Sequence, residues 1–282
     1  MRADTDFSKV HNLVGDLGLH TVCKSARCPN QHECWGRGTA TLMILGNLCT
    51  RACRFCAIPA GRPQALDVDE PRRVAEAALQ MKLRHAVLTS VARDDLPDGG
   101  SGMFADCIRA IREVLPAASI EVLTPDFQGR PEQIDTVLAA RPDVFNHNLE
   151  TVKRLQAVIR PQASYGRSLA VLQRAAQSPG APAVKSGLML GLGETDEELV
   201  EALHDLHAAG VRLLTLGQYL QPTRHHREVA RYVPPEDFER FGRLACEIGF
   251  KGVASGPLVR SSYRAEDLLA QARGGQEAAL VR

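Results

Sequence analysis

The sequence predicts an α/β fold, an open partial (β/α)6 barrel with N-terminal and C-terminal extensions. Short apolar runs alternate six times with segments of helical period between residues 41 and 220, the pattern of a parallel sheet with helical crossovers. Each repeat takes about 30–35 residues, close to the roughly 30 that a βαβ unit needs. A closed eight-fold barrel typically takes about 250 residues. The 282-residue chain falls short of that once its two ends are set aside. The boundaries read as 1–40 for the N-terminal extension, 41–250 for the barrel and 251–282 for the C-terminal extension. A doubly wound parallel sheet is compatible with the same alternation and stays open here.

The strands, in order, are TLMILG (41–46), HAVLTS (85–90), SIEVLTP (119–125), DVFNHN (143–148), AVKSGLML (183–190) and VRLLTLGQYL (211–220). Helical periodicity marks EPRRVAEAALQMKL, SGMFADCIRAIREVL, PEQIDTVLAA, TVKRLQAVI, SYGRSLAVLQRAAQ and TDEELVEALHDLHAAG between them. Asp69 to Pro71, Ser101, Arg130 to Pro131 and Thr195 read as helix starts. Thr195 and Glu198 form a capping box, and Gly210 suits a C-terminal cap. Phe104, Cys107, Ile108, Ile111 and Leu115 share one stripe, so Cys107 reads as core. Cys246 lies off the stripe of Phe238, Phe241, Ala245 and Ile248, with packing its simplest role.

Lys plus Arg number 34 against 33 Asp plus Glu, a net charge of +1 that argues against bulk affinity for nucleic acid or membrane. No apolar run reaches the roughly 18 residues of a spanning helix. The polar start MRADTDFSKV has no apolar signal region and carries two acids. A cytoplasmic location is therefore expected, where eight cysteines do not form a disulfide framework.

Six of those cysteines lie between Cys23 and Cys56. Cys23, Cys28 and Cys34 are spaced C-x4-C-x5-C; Cys49, Cys53 and Cys56, in CTRACRFC, are spaced C-x3-C-x2-C. Neither triplet has the paired knuckles usual for structural zinc, although pooling all six in zinc sites stays open. Compact cysteine triplets suit iron–sulfur clusters, and three thiolates leave one iron of a [4Fe–4S] cluster open to a chelating ligand. CTRACRFC follows the first strand. TSVARDDLPDGG, TPDFQG, NHNLE, GLGE and YLQPT follow later ones, so the expected barrel gathers them at the rim where such folds do chemistry.

C-x3-C-x2-C with Phe55 between its last cysteines resembles the signature of radical S-adenosylmethionine (SAM) enzymes. That resemblance implies that the open iron chelates SAM through its amino and carboxylate groups, and that an electron from the cluster releases a 5′-deoxyadenosyl radical. NHNLE resembles the ribose-binding element of biotin synthase, which implies hydrogen bonds from Asn148 and Glu150 to the ribose hydroxyls. GLMLGLGE resembles the G-x-I-x-G-x-x-E element of the superfamily, with Gly187, Gly191 and Glu194 as SAM-binding positions. It fails as a dinucleotide fingerprint, since Asp196 stands where the third Gly belongs.

From Leu19 to about Ala265 the chain resembles the lipoyl synthase family. HTVCKSARCPNQHECWGRGTATLMILGNLCTRACRFC, TSVARDDLPDGG, IEVLTPDFQG, VFNHNLETV, GLMLGLGETDEE, LTLGQYLQPT and GPLVRSSYRA carry the likeness. It implies a sulfurtransferase of lipoate biosynthesis that inserts two sulfur atoms into a protein-bound octanoyl chain, at carbons 6 and 8. The cofactors implied are SAM and two [4Fe–4S] clusters, the second an auxiliary cluster carried by the extensions and consumed as the sulfur donor. Its ligands would be Cys23, Cys28, Cys34 and Ser262, the second Ser of RSSYRA. By itself RSSYRA reads as a helix N-cap before AEDLLAQA. The partners implied are octanoylated lipoyl-carrier domains of 2-oxoacid dehydrogenase E2 subunits and the glycine cleavage H protein. An electron donor such as flavodoxin or ferredoxin and an iron–sulfur carrier protein complete the set, with no nucleic acid and no membrane.

His204 and His207, three apart, read as a solvated helix face rather than a metal pair. His225 and His226 with Arg224, Arg227 and Arg231 form a basic loop that suits docking of an acidic carrier domain. Three alternatives stay open. One is another radical SAM sulfur-inserting enzyme of the biotin synthase kind. The others are a metal-stapled binding module and an electron-transferring two-cluster protein.

Overall fold

The computed structural model describes residues 13–25, 28–274 and 280–281. It divides into two compact units, Met1–Arg51 with Ile58–Asp143, and Ala52–Ala57 with Val144–Arg282.

In the first unit, β1 (His20–Thr21) lies antiparallel on β2 (Thr39–Ile44). Strands β3 (His85–Ser90) and β4 (Ser119–Leu123) extend the sheet in parallel. Every residue of β2 is buried, as expected for strands covered on both faces. Helices Glu70–Gln80, Ser101–Val114 and Pro131–Ala139 form the crossovers. Helix Ser101–Val114 buries Phe104, Cys107, Ile108 and Ile111, and Phe104 meets Phe127 edge-on with ring centroids 6.3 Å apart. A fully buried side chain of that size contributes about 1.5–3 kcal/mol. Cys107 is core, as its stripe predicts, and burial pushes its thiol well above the ordinary range.

In the second unit, β5 (Val144–Asn146), β6 (Ala183–Leu190), β7 (Leu213–Gln218), β8 (Gly252–Gly256) and β9 (Leu280–Val281) pair in parallel, each with the next. Helices Tyr165–Gln177, Asp196–Ala208, Pro235–Ile248 and Ala265–Arg273 connect or follow them. The Thr195–Glu198 capping box is present in both directions. Gly210 turns the chain at φ +90°, where a Cβ would come 2.4 Å from Ala176 Cβ.

All six expected strands exist, inside one α/β pattern of mostly parallel strands. Two elements differ from expectation. TVKRLQAVI makes only a 3-10 turn, Lys153–Leu155, and the four-residue helix Gln156–Ile159. Pro161 disfavours a helical Arg160, so the helix cannot extend. GVASG (β8) is a strand within the segment read as C-terminal extension; its Gly and Ala content hides it, and pairing with β7 supplies what propensity lacks.

Candidate functional site

The loop after β2 leaves the sheet through two left-handed residues, Leu45 at φ 68° and Gly46 at φ 87°. A non-glycine residue there needs support. The buried Glu70 carboxylate accepts from the Leu45 amide at 2.9 Å, and Arg93 reaches the Leu45 carbonyl. Gly100, itself at φ +86°, has to lack a Cβ, which would lie 2.3 Å from the Leu45 side chain.

Cys49 follows, half-buried, with its amide on the Pro59 carbonyl and its carbonyl on the Gly61 amide. Its Sγ receives the amides of Arg51 (3.4 Å) and Ala92 (3.3 Å). Such N–H donors stabilise charge on a ligating sulfur. Arg51 is buried and forked between two carboxylates, with Nε and Nη2 on Asp94 at 2.6 and 2.7 Å and Nη2 also on Asp126 at 2.6 Å. Burial alone would raise the Asp94 carboxyl; the hydrogen bonds and charge of Arg51 outweigh it and hold the group below its ordinary value. This bracket ties the cysteine loop to the starts of the loops after β3 and β4. Sequence reading placed Asp94 and Asp126 on polar loops and missed their common partner.

In the second unit, Ala52 donates to the Gln162 side chain and Arg54 to the Ile159 carbonyl, while the Cys56 amide bonds the Cys53 carbonyl. His226 reaches the Cys56 carbonyl from Nε2 at 2.9 Å. An imidazole that donates there presents Nδ1 to the Thr223 hydroxyl, also at 2.9 Å. Of the basic loop, Arg224, His225 and Arg227 are exposed, whereas His226 holds the cysteine loop and Arg231 pairs with Asp196. His207 packs on Phe250, ring centroids 5.6 Å apart, and His204 is exposed.

Cys23 is buried in the short helix Val22–Ser25, and burial raises its thiol. Cys28 and Cys34 are half-buried. None of the eight cysteines is in a disulfide, and among the described residues no three His, Cys, Asp or Glu side chains stand together as a metal site.

The loops after β5 and β6 carry the expected SAM-binding positions. Glu150 turns at φ 70° and bridges to β6, its amide on the Gly187 carbonyl and its carbonyl receiving Met189. Its carboxyl is raised by burial, a shift partly opposed by the Arg160 charge and a hydrogen bond from Asn148. Asn148 and Glu150 both follow the end of β5, in one loop. A Cβ at Gly187 would lie 2.6 Å from Thr215 Oγ1 and 3.0 Å from Asn148 Oδ1. Glycine keeps that space open. Glu194 is buried, and both its oxygens accept backbone amides, Gly191 at 2.7 Å and Leu192 at 2.9 Å. At Gly191, φ +97°, a Cβ would collide with the Arg231 carbonyl and the Gln218 amide at 2.4 Å. Glu194 and Gly191 therefore shape this loop.

RSSYRA forms the turn between β8 and helix Ala265–Arg273. The N-cap position is Arg264, left-handed and with no side-chain cap, so neither serine caps the helix. Ser262 is half-buried. Ser261 hydrogen-bonds both Asn146 and Asn148.

Residues 43–206 match the family profile described as the radical SAM superfamily. Solved structures show the same fold. The chain aligns with the FeFe-hydrogenase maturase HydG from Carboxydothermus hydrogenoformans at TM-score 0.63 and 15% identity, over 86% of this chain and 58% of that one. It aligns with methylornithine synthase at TM-score 0.58 and 13% identity, over 99% and 85%. These define a radical SAM enzyme. Lipoyl synthase of Thermus thermophilus is 57% identical over 92% of this chain and 81% of its own. Lipoyl synthase of Rubrobacter xylanophilus is 55% identical over 95% and 84%, and that of Pyrobaculum arsenaticum 54% identical over 97% and 93%. The chain belongs to the lipoyl synthase family. Membership of the superfamily implies SAM and a [4Fe–4S] cluster as cofactors. Cys49, a thiol outside any disulfide whose sulfur receives two backbone N–H groups, is a donor that suits such a cluster. Among the described residues no helix is long and apolar enough to cross a membrane.

Proposed function

We propose that this protein inserts two sulfur atoms, at carbons 6 and 8, into an octanoyl group carried on a lipoyl domain. Identity above half with several lipoyl synthases supports the reading, and a second cysteine triplet in addition to the loop triplet carries it. Cys49, Cys53 and Cys56 would hold the SAM-binding cluster. When bound, cluster and SAM supply hydrogen-abstracting chemistry for unactivated C–H bonds, which no side-chain acid or base can attack. The chain's task is placement. Arg51 and Glu70 fix the start of the cysteine loop, and His226 fixes its end. Asn148 and Glu150 would take the ribose diol, one side chain offering a donor and the other an acceptor. Gly187 and Gly191 leave the space that side chains there would fill, and Glu194 braces the second of these turns.

The sulfur donor in this reading is an auxiliary [4Fe–4S] cluster held by Cys23, Cys28, Cys34 and Ser262. The alkoxide is a hard ligand on a thiolate-loving metal, which favours release of that iron as sulfide leaves. Partners by the same reading are octanoylated 2-oxoacid dehydrogenase and glycine-cleavage carriers, a flavodoxin- or ferredoxin-type reductant, and an iron–sulfur carrier for rebuilding the cluster. Anaerobic purification with iron and sulfide analysis, followed by mass spectrometry of an octanoylated carrier, tests the proposal. Two clusters and a lipoyl product are expected; one cluster, or a product with one sulfur only, would sink it.

Two substitutions probe the assignments. Glu150→Ala should weaken SAM binding by about 1–3 kcal/mol, the worth of a hydrogen bond to a charged group, with iron content unchanged. Unaltered affinity in both Glu150→Ala and Asn148→Ala takes these residues out of the site. Ser262→Cys should keep the auxiliary cluster and SAM cleavage but lower sulfur transfer, because thiolate holds iron better than alkoxide. Full lipoyl formation by this variant contradicts the lability idea. Full formation by Ser262→Ala with an intact cluster contradicts the ligand assignment too.

A further inference from the structure

Asn146, at the end of β5, is buried and donates from Nδ2 to Ser261 Oγ at 3.0 Å. A hydroxyl has one proton to give, and Ser261 gives it to Asn148 Oδ1, also at 3.0 Å. With Oδ1 occupied, the amide of Asn148 has its orientation set and turns Nδ2 away from Ser261. Both donors in this chain point one way, from Asn146 through Ser261 to Asn148. The Asn148 carbonyl is held separately, by Arg160 Nη1 at 3.1 Å.

We propose that Ser261 is a positioning residue for SAM, fixing which edge of the Asn148 amide faces the ribose. The inference rests on the reading that Asn148 and Glu150 grip that ribose. Turned outward, the amide's N–H edge beside a carboxylate offers a vicinal diol one donor and one acceptor, whereas the carbonyl edge would offer two acceptors. An asparagine side chain flips readily unless a neighbour distinguishes its two ends. Ser261 does so by giving its one proton to Oδ1, a bond that turning the amide over would lose. It lies 113 residues further along the chain, in the turn that also carries Ser262. The turn is thereby tied to the SAM-binding loop through a residue that ligates nothing itself. Its hydroxyl is not used to cap the following helix, whose N-cap is Arg264.

The test is a double-mutant cycle on the full chain, anaerobically reconstituted and without reductant so that SAM is not consumed. SAM dissociation constants, iron content and melting temperature are measured together. Ser261→Ala should weaken SAM about three- to ten-fold, the scale of one lost hydrogen bond. Iron content should not change. Ser261→Thr, which keeps the hydroxyl, should restore affinity to within about two-fold of the parent. Asn148→Ala should weaken SAM, and adding Ser261→Ala to it should weaken SAM no further, because the serine acts through the amide. Where Ser261→Ala does not fold, Ser261→Gly removes the same hydroxyl and carries the same expectations. If Asn148→Ala weakens SAM and Ser261→Ala does not, the positioning role is overturned while the ribose assignment stands. Additive losses, or loss of iron in Ser261→Ala, overturn it as well. If Asn148→Ala itself leaves affinity unchanged, the ribose assignment is what fails.

Discussion

Replacing Cys49, Cys53 and Cys56 together with Ala is expected to abolish SAM cleavage completely while leaving one cluster's complement of iron. Replacing Cys23, Cys28 and Cys34 is expected to leave the other cluster, with SAM still cleaved and no lipoyl product formed. The contrast follows from the division of labour between triplets whose spacings differ and whose flanking structures differ. The loop triplet begins at a cysteine whose sulfur receives two backbone amides and whose neighbouring arginine is buried. Of the N-terminal triplet, Cys23 and Cys34 sit on short helices and Cys28 lies between them, with Cys23 buried and raised by that burial. Iron, acid-labile sulfide and 5′-deoxyadenosine are the measurements. If either triple variant loses all iron yet keeps its melting transition, two independent clusters is the wrong description.

Arg51→Ala carries the largest expected cost in stability. Removing the guanidinium takes an ion-pair partner from Asp126, which is fully buried, and from Asp94. Breaking a buried ion pair from one side typically costs about 3–5 kcal/mol. In a chain of this size that lowers the melting temperature by roughly 6–20 °C. Iron bound by the loop triplet should fall at the same time, because the bracket fixes the backbone next to Cys49. The acid limb of the stability profile should change too. Asp94 has a folded value below its unfolded one. Its contribution is therefore present above the ordinary carboxylate value of about 3.9 and is lost as pH falls through the folded value. Arg51→Ala should flatten that dependence. A melting temperature within a degree of the parent would show that the bracket supports nothing.

Much of this protein was legible along the chain because its signals are local. Strand–helix alternation needs only apolar period and crossover length, and it located six strands, the Thr195–Glu198 cap and the buried face of helix Ser101–Val114. The cysteine triplets are legible for the same reason, since each lies within a dozen residues of chain. β8 was not legible: Gly252, Ala254 and Gly256 give no strand propensity, and only pairing with β7 makes the segment extended.

The sequence by itself determined the α/β alternation, the two thiol sets and the family. Tertiary structure alone decided how those parts are held. Arg51 is one basic residue of a loop until folding brings it between carboxylates 43 and 75 residues away. Glu194 carries the charge of a ligand-binding residue, yet the turn at Gly191 points both its oxygens at backbone amides. RSSYRA reads locally as a helix cap; Arg264 takes the cap position, and Ser261 is left facing Asn146 and Asn148. Glu194 is held within its own turn, by amides two and three residues before it; for Arg51 and Ser261 the physical reason is shared. A side-chain hydrogen bond depends on distance and direction in space, and only the packed sheet brings such distant residues within reach of one another.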